Sequence, residues 1–213
     1  MKDTIKMIVV LTLIATLAGL GLALMNEATQ ADIEDNARRA ILDAIHQVLP
    51  DADPPNACQR YDAIFDNEPD RDAVCIEGAT VFRARKGKDV VAMAMEVVGD
   101  NAYSGTISAL VGLRMDDGML MGIKVLAHAE TPGLGSLISD CQLMSGQMVG
   151  HTPSGIKWAV KKDGGDIDQL TGATISTRAM INAVAKAQAM WRDHRQTIMN
   201  GDAMPADGEC HVP

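Results

Sequence analysis

Ile107-Ser108-Ala109-Leu110-Val111-Gly112-Leu113-Arg114, then Met115-Asp116-Asp117-Gly118, then Met119 through His128, settles which class of fold this chain can adopt. Ile107, Ala109, Val111 and Leu113 alternate with Ser108, Gly112 and Arg114, the period of two expected of a strand with one buried face. The Asp-Gly pair in the intervening four residues is a strong turn signal, so the stretch predicts a β-hairpin. Immediately upstream, Thr80 to Arg85 and Asp89 to Val98 flank a Lys86-Gly87-Lys88 turn and predict a second hairpin. Strands in series, followed by helical patterns, predict an α+β domain whose antiparallel sheet packs one face on helices, not a doubly wound fold.

Working outward toward the N-terminus, Pro50, Asp51, Asp53, Pro54 and Pro55 mark where the domain starts, because proline cannot continue a helical hydrogen-bond ladder. Before them, Ile33, Ala37, Ala40, Ile41, Ala44 and Val48 recur at helical spacing with acids and Arg39 between, which predicts an amphipathic connecting helix over 27–50. Met7 to Met25 carries no charge at all. At helical rise that run is about 28 Å long, enough to cross the hydrocarbon layer, so 1–26 reads as a single transmembrane anchor. A cleaved signal peptide has a shorter apolar region of about 7 to 15 residues and a small-residue cleavage site, neither of which fits. Lys2 and Lys6 precede the run and no basic residue follows until Arg38, which puts the N-terminus in the cytoplasm of a cell whose inner membrane holds the anchor. The domain, 51–199, is then periplasmic or extracellular, and 200–213 is a polar tail.

Downstream of the hairpin, His128-Ala129-Glu130-Thr131-Pro132-Gly133-Leu134-Gly135 changes from strand to a turn of special backbone geometry. Pro132 presets one dihedral and the two glycines permit positive ones, so backbone amides could approach a ligand closely. Further on, Asp168-Gln169-Leu170-Thr171-Gly172-Ala173-Thr174 leads into a helix beginning near Ile175. The Thr174 hydroxyl follows two residues with almost no side chain at the helix mouth, where unpaired amides and the positive dipole end favour a phosphate. That helix carries Met180, Val184, Ala187 and Trp191 on one face and Arg178, Asn182 and Lys186 on the other, so its stripe reads as core packing.

Composition narrows the function. A net charge of -9 argues against nucleic acid. With 14 Met but two each of Trp, Tyr and Phe, the core must be aliphatic and thioether-rich. The chain has no Walker loop, no His-Glu-x-x-His helix and no Ser or Cys catalytic signature, so hydrolytic chemistry has no support and no catalytic residue is assigned. Cys58, Cys75, Cys141 and Cys210 lack CxxC spacing, which argues against a metal site held by this chain alone. Outside the cytoplasm an even count suggests disulfides with three possible pairings, of which Cys58 with Cys75 is favoured by closeness in sequence around the 61–65 segment.

Two of these segments resemble a known family. Asp168 followed by Thr171-Gly172-Ala173-Thr174 is similar to the flavinylation motif of FMN-binding domains in membrane-bound electron-transfer complexes. His128-x-Glu130-Thr131-x-Gly133-Leu134-Gly135 is similar to an element that lies near the flavin in the same family, and Tyr103-Ser104-Gly105 matches more loosely. The resemblance covers roughly residues 90 to 190, with its motifs in the family's order. It implies that Thr174 carries FMN as a covalent phosphoester installed from FAD by a flavin transferase. Asp168, Thr171, Gly172 and Ala173 would be the recognition context, and Tyr103, His128, Glu130, Thr131, Gly133, Leu134, Gly135, Ile175 and Ser176 further cofactor contacts. The run 171–179 and the single N-terminal span resemble the flavin subunits of Rnf-type ion-translocating complexes, which move electrons between ferredoxin and NAD. The implied partners are the membrane and iron-sulfur subunits of such a complex. The sodium-translocating NADH:quinone reductases, and a membrane-tethered flavin sensor without relay activity, are the alternatives. Leu137 departs from the basic residue expected just after Gly-Leu-Gly.

Overall fold

The computed structural model describes residues 2–49 and 72–201, with Pro55, Cys58 and Cys210 at single positions. Helix α1 spans Lys2–Val48 without interruption. The five strands are β1 (Ala73–Ile76), β2 (Ala79–Lys86), β3 (Asp89–Ala102), β4 (Gly105–Arg114) and β5 (Leu120–His128). Short 3-10 turns at Gly135–Ser139, Ser145–Gln147 and Lys161–Asp163 precede helix α2 (Thr174–Asn200). The chain divides into two compact units, Met1–Ala40 and Ile41–Pro213.

In the first unit, Thr4–Gln30 is long and apolar enough to cross a membrane, and its leucines, isoleucines and valines are exposed. Apolar side chains that find no partner within the chain are what a lipid-facing helix requires.

The second unit is an antiparallel sheet in the order β1-β2-β3-β4-β5, every strand paired with its sequence neighbour. Both predicted hairpins form. Gly112 faces Gly122 across β4 and β5, and Met95 faces Val111 across β3 and β4. At the β4–β5 turn Gly118 takes φ +69, and Arg114 hydrogen-bonds Asp117 through both its oxygens. That hydrogen bond holds the Asp117 carboxyl below the usual carboxylate range. β1 is a strand that the sequence pattern did not reveal. It carries only four residues, too few for a period to register.

The expectation that one sheet face packs on helices is too modest, because both faces are covered. Met93, Met95, Val97, Ile107, Ala109, Val111 and Leu113 bury one face beneath Met180, Ala183, Val184 and Ala187 of α2. On the other, Ala84, Ala92, Ala94, Leu110 and Met121 receive Ala44, Ile45, Val48 and Leu49 from the end of α1. The second seat is shallow. A Cβ at Gly112 would run into the Val48 carbonyl, and one at Gly122 into the Val48 backbone, so glycine on both strands lets the helix end lie against the sheet. The helix stops at Val48, ahead of the Pro50 signal. Pro50, Asp51, Asp53, Pro54 and the 61–65 segment lie outside the described residues.

The favoured Cys58–Cys75 pairing is corrected by the structure, which joins Cys58 to Cys141 and Cys75 to Cys210. The reason is the return of the chain after α2. Gly201 comes to rest beside Val74, and Arg83, only 1% exposed, donates to the carbonyls of Ile198 and Gly201 while pairing with Asp72. The end of α2 is thereby held at the β1–β2 edge, where Cys75 is exposed and meets Cys210. Closeness in sequence carried no information about that neighbourhood.

Candidate functional site

Three segments converge at one end of the sheet: the β3–β4 turn, the turn after β5 and the first turn of α2. Their meeting point is Glu130, a carboxylate only 6% exposed. Its Oε1 accepts the backbone N–H of Ser104 at 2.9 Å, and its Oε2 accepts the hydroxyl of Ser176. Gly135 lies against it so closely that a Cβ there would collide with Oε2. Glycine at 135 is thus required to seat Glu130. Gly133 has open space where a Cβ would stand, but takes φ +74, and its N–H donates to Ser136 Oγ at 2.9 Å. Here glycine serves the turn itself.

The start of α2 is built in steps. Asp168 gives its N–H to Gln147 Oε1 at 2.7 Å, while the Gln147 amide donates to the Leu143 carbonyl at 2.6 Å. The Asp168 carboxylate pairs with Lys161 at 2.7 Å on the surface. Leu170 then donates its N–H to Thr177 Oγ1 at 3.1 Å, and Ala173 donates back to the Leu170 carbonyl at 3.0 Å. Gly172, at φ +75, turns the chain into the helix and approaches the Leu134 side chain. No side chain among the described residues caps α2, whose N-cap is Ala173. The first-turn amides therefore face the site without a capping oxygen, a natural seat for an anion.

Between these segments lies a cavity of about 430 Å³, of a size that accepts an organic ring system. Thr174 lines it from the first position of α2, half-buried, flanked by Gly172, Ala173, Ile175 and Ser176. Tyr103 lines it from the β3–β4 turn, and Glu130, Thr131, Leu134 and Gly135 from the turn after β5. Tyr103, Leu134 and Ile175 stand at its mouth 72%, 47% and 45% exposed, an apolar rim uncommon on a soluble surface.

The remaining sequence-predicted residues lie off the cavity wall. His128 is exposed and accepts the Glu130 N–H at Nδ1, steadying the turn. Asp168 and Thr171 are exposed ahead of the helix. Leu137 is partly buried against the hydrophobic core. Sequence reasoning assigned no site role to Gln147 or Thr177, and Ser104 entered it only within the loosely matching 103–105 segment. Thr177 had a signal, being one helical turn beyond Thr174, whereas Gln147 sits in irregular chain with none.

Comparison with known proteins bears on the same segments. The FMN-binding domain family matches residues 102–189, from the β3–β4 turn into α2. The G subunit of the ion-translocating oxidoreductase complex of Shewanella piezotolerans (strain WP3 / JCM 13877) is 33% identical over 215 residues, covering 95% of this chain and 96% of the relative. This chain belongs to the G-subunit family of ion-translocating oxidoreductase complexes. The corresponding protein of Cronobacter sakazakii (strain ATCC BAA-894) is 37% identical over 177 residues, 78% of this chain and 79% of its own length. A crystal structure of Shewanella oneidensis NqrC overlaps 56% of this chain and 60% of that one at 20% identity and a TM-score of 0.46, too distant to carry an argument. The likeness to the Shewanella piezotolerans protein covers 95% of this chain, well beyond the residues 102–189 matched by the FMN-binding domain family.

Proposed function

We propose that this chain holds FMN covalently, as a phosphoester to Thr174, and relays electrons within a membrane-bound ion-translocating ferredoxin:NAD oxidoreductase complex. The observation that carries the reading is the position of Thr174 at the cavity wall, on the uncapped first turn of α2. A phosphoester there brings its negative charge to the helix end that favours it. Thr177, by contrast, is fully buried, its hydroxyl engaged with Leu170 and Ala173, so it is no competitor for attachment. FMN supplies one- and two-electron chemistry, and the protein supplies position and electrostatics. Substrate turnover belongs to other subunits, and this chain is an electron carrier.

Tyr103, Leu134 and Ile175 provide an apolar mouth for a flat ring, while Thr131 and the α2 amides provide polar contacts along the cavity wall. Asp168, Thr171, Gly172 and Ala173 present the acceptor hydroxyl to a flavin transferase. Lys2 and Lys6 ahead of the apolar run support a cytoplasmic N-terminus, with the domain on the far side of the membrane beside the membrane and iron-sulfur subunits. There a dissociated cofactor would be diluted, and a covalent bond removes the dependence of occupancy on free ligand.

The test is coexpression with a flavin transferase and inspection of the denatured chain for flavin fluorescence at its own mass. Thr174→Ala should yield a folded, membrane-inserted, dark protein, whereas Thr174→Ser retains a hydroxyl and should label at least in part. Covalent flavin on the alanine variant would overturn the assignment.

A further inference from the structure

We propose that Glu130 is a fixed negative charge that lowers the reduction potential of the flavin held in the cavity. The inference rests on the FMN reading above and extends it to one residue. Of the side chains lining the cavity, Glu130 is the one carboxylate among the described residues, and no lysine, arginine or histidine among them lines it. Its partners are the Ser104 amide and the Ser176 hydroxyl, both neutral donors that hold its geometry and leave its charge in place. Because only 6% of its surface is exposed, bulk water screens it little.

Adding an electron to a group in this cavity adds negative charge beside that carboxylate and makes reduction less favourable. The three-segment attachment makes the charge rigid, and a rigid charge cannot move away when the ring is reduced.

Neutralising the charge without changing the shape should show this. Glu130→Gln keeps an oxygen for the Ser104 amide and a group able to hydrogen-bond Ser176. At an effective dielectric constant near 20, removing a unit charge within about 10 Å should shift the reduction equilibrium about tenfold toward the reduced form. For a one-electron couple that is about 59 mV upward. The measurement is a spectroscopic redox titration of the detergent-solubilised, flavin-labelled full chain. Thermal unfolding of the same variant in the unlabelled Thr174→Ala background reports whether the fold survives. An unmoved or lowered midpoint in a folded, labelled Glu130→Gln protein overturns the proposal. Ser176→Ala supplies a second route, because it retains the charge and removes one donor that spreads it. Its midpoint should fall, and if Glu130→Gln fails to fold this variant decides alone, with an unchanged or raised value counting against the idea. A wild-type chain that takes no covalent flavin defeats the FMN reading instead, so the two failures are distinguishable.

Discussion

Thr177→Val tests whether the loop before α2 is held as the geometry says. The substitution keeps the volume and the β-branched shape, so the helix and its packing are little disturbed. What it removes is Oγ1, which accepts the Leu170 N–H at 3.1 Å in a setting where Thr177 is 0% and Leu170 7% exposed. The Ala173 carbonyl keeps its other donor, the Thr177 N–H at 3.0 Å, so one group alone is orphaned. Leaving a buried amide unpaired costs about 1–3 kcal/mol. For a domain of this size a loss of about 2 kcal/mol corresponds to a melting temperature lower by roughly 4–8 °C. The loss is local, so hydrogen exchange at the Leu170 amide should accelerate well beyond exchange in the strands. Thr177→Ser keeps the oxygen and should restore most of both signals. A Thr177→Val protein that melts within about 1 °C of wild type, with Leu170 still protected, would falsify the claim that this hydroxyl pins the attachment loop.

Gly112→Ala should destabilise the domain by about 1–3 kcal/mol, because its Cβ must displace the Val48 carbonyl from the sheet; an unchanged unfolding midpoint would mean that the end of α1 does not rest on β4. Protease added outside spheroplasts should digest the chain beyond the anchor and leave an N-terminal fragment, and protection of the domain would reverse the proposed orientation.

The hairpins and the helix after Thr174 were legible because each combines a local period with a local turn signal, and local signals survive without tertiary context. Asp116-Asp117-Gly118 fixes its own turn, and Met180, Val184 and Ala187 mark a buried face whatever they pack against. Most residues that line the cavity lie in the contiguous segments through which the chain resembles FMN-binding domains, and it was that resemblance, not a local period, that named them. Gln147 and Thr177 were not assigned, because each acts through hydrogen bonds to backbone groups that only the fold brings within reach, Gln147 to Asp168 and Thr177 to Leu170. The disulfide pairing failed on the same ground. It depends on where the end of α2 returns, which Arg83 and Val74 decide.

Glycine shows most clearly where sequence reasoning stops. Gly133-Leu134-Gly135 reads as a pair of hinges that bring backbone close to a ligand, and the two glycines look equivalent. In the folded chain Gly133 is needed for a positive φ and has open space around its missing side chain, whereas Gly135 is needed because the Glu130 carboxylate occupies the place a Cβ would take. Any side chain at 135 would push that carboxylate away from Ser104 and Ser176, and with it the join between the β3–β4 turn and the start of α2. A requirement for glycine set by backbone conformation can be guessed from a turn pattern. One set by a carboxylate five residues upstream follows only from the fold that closes the turn around it, and in this chain that closure is also what builds the cavity wall beside Thr174.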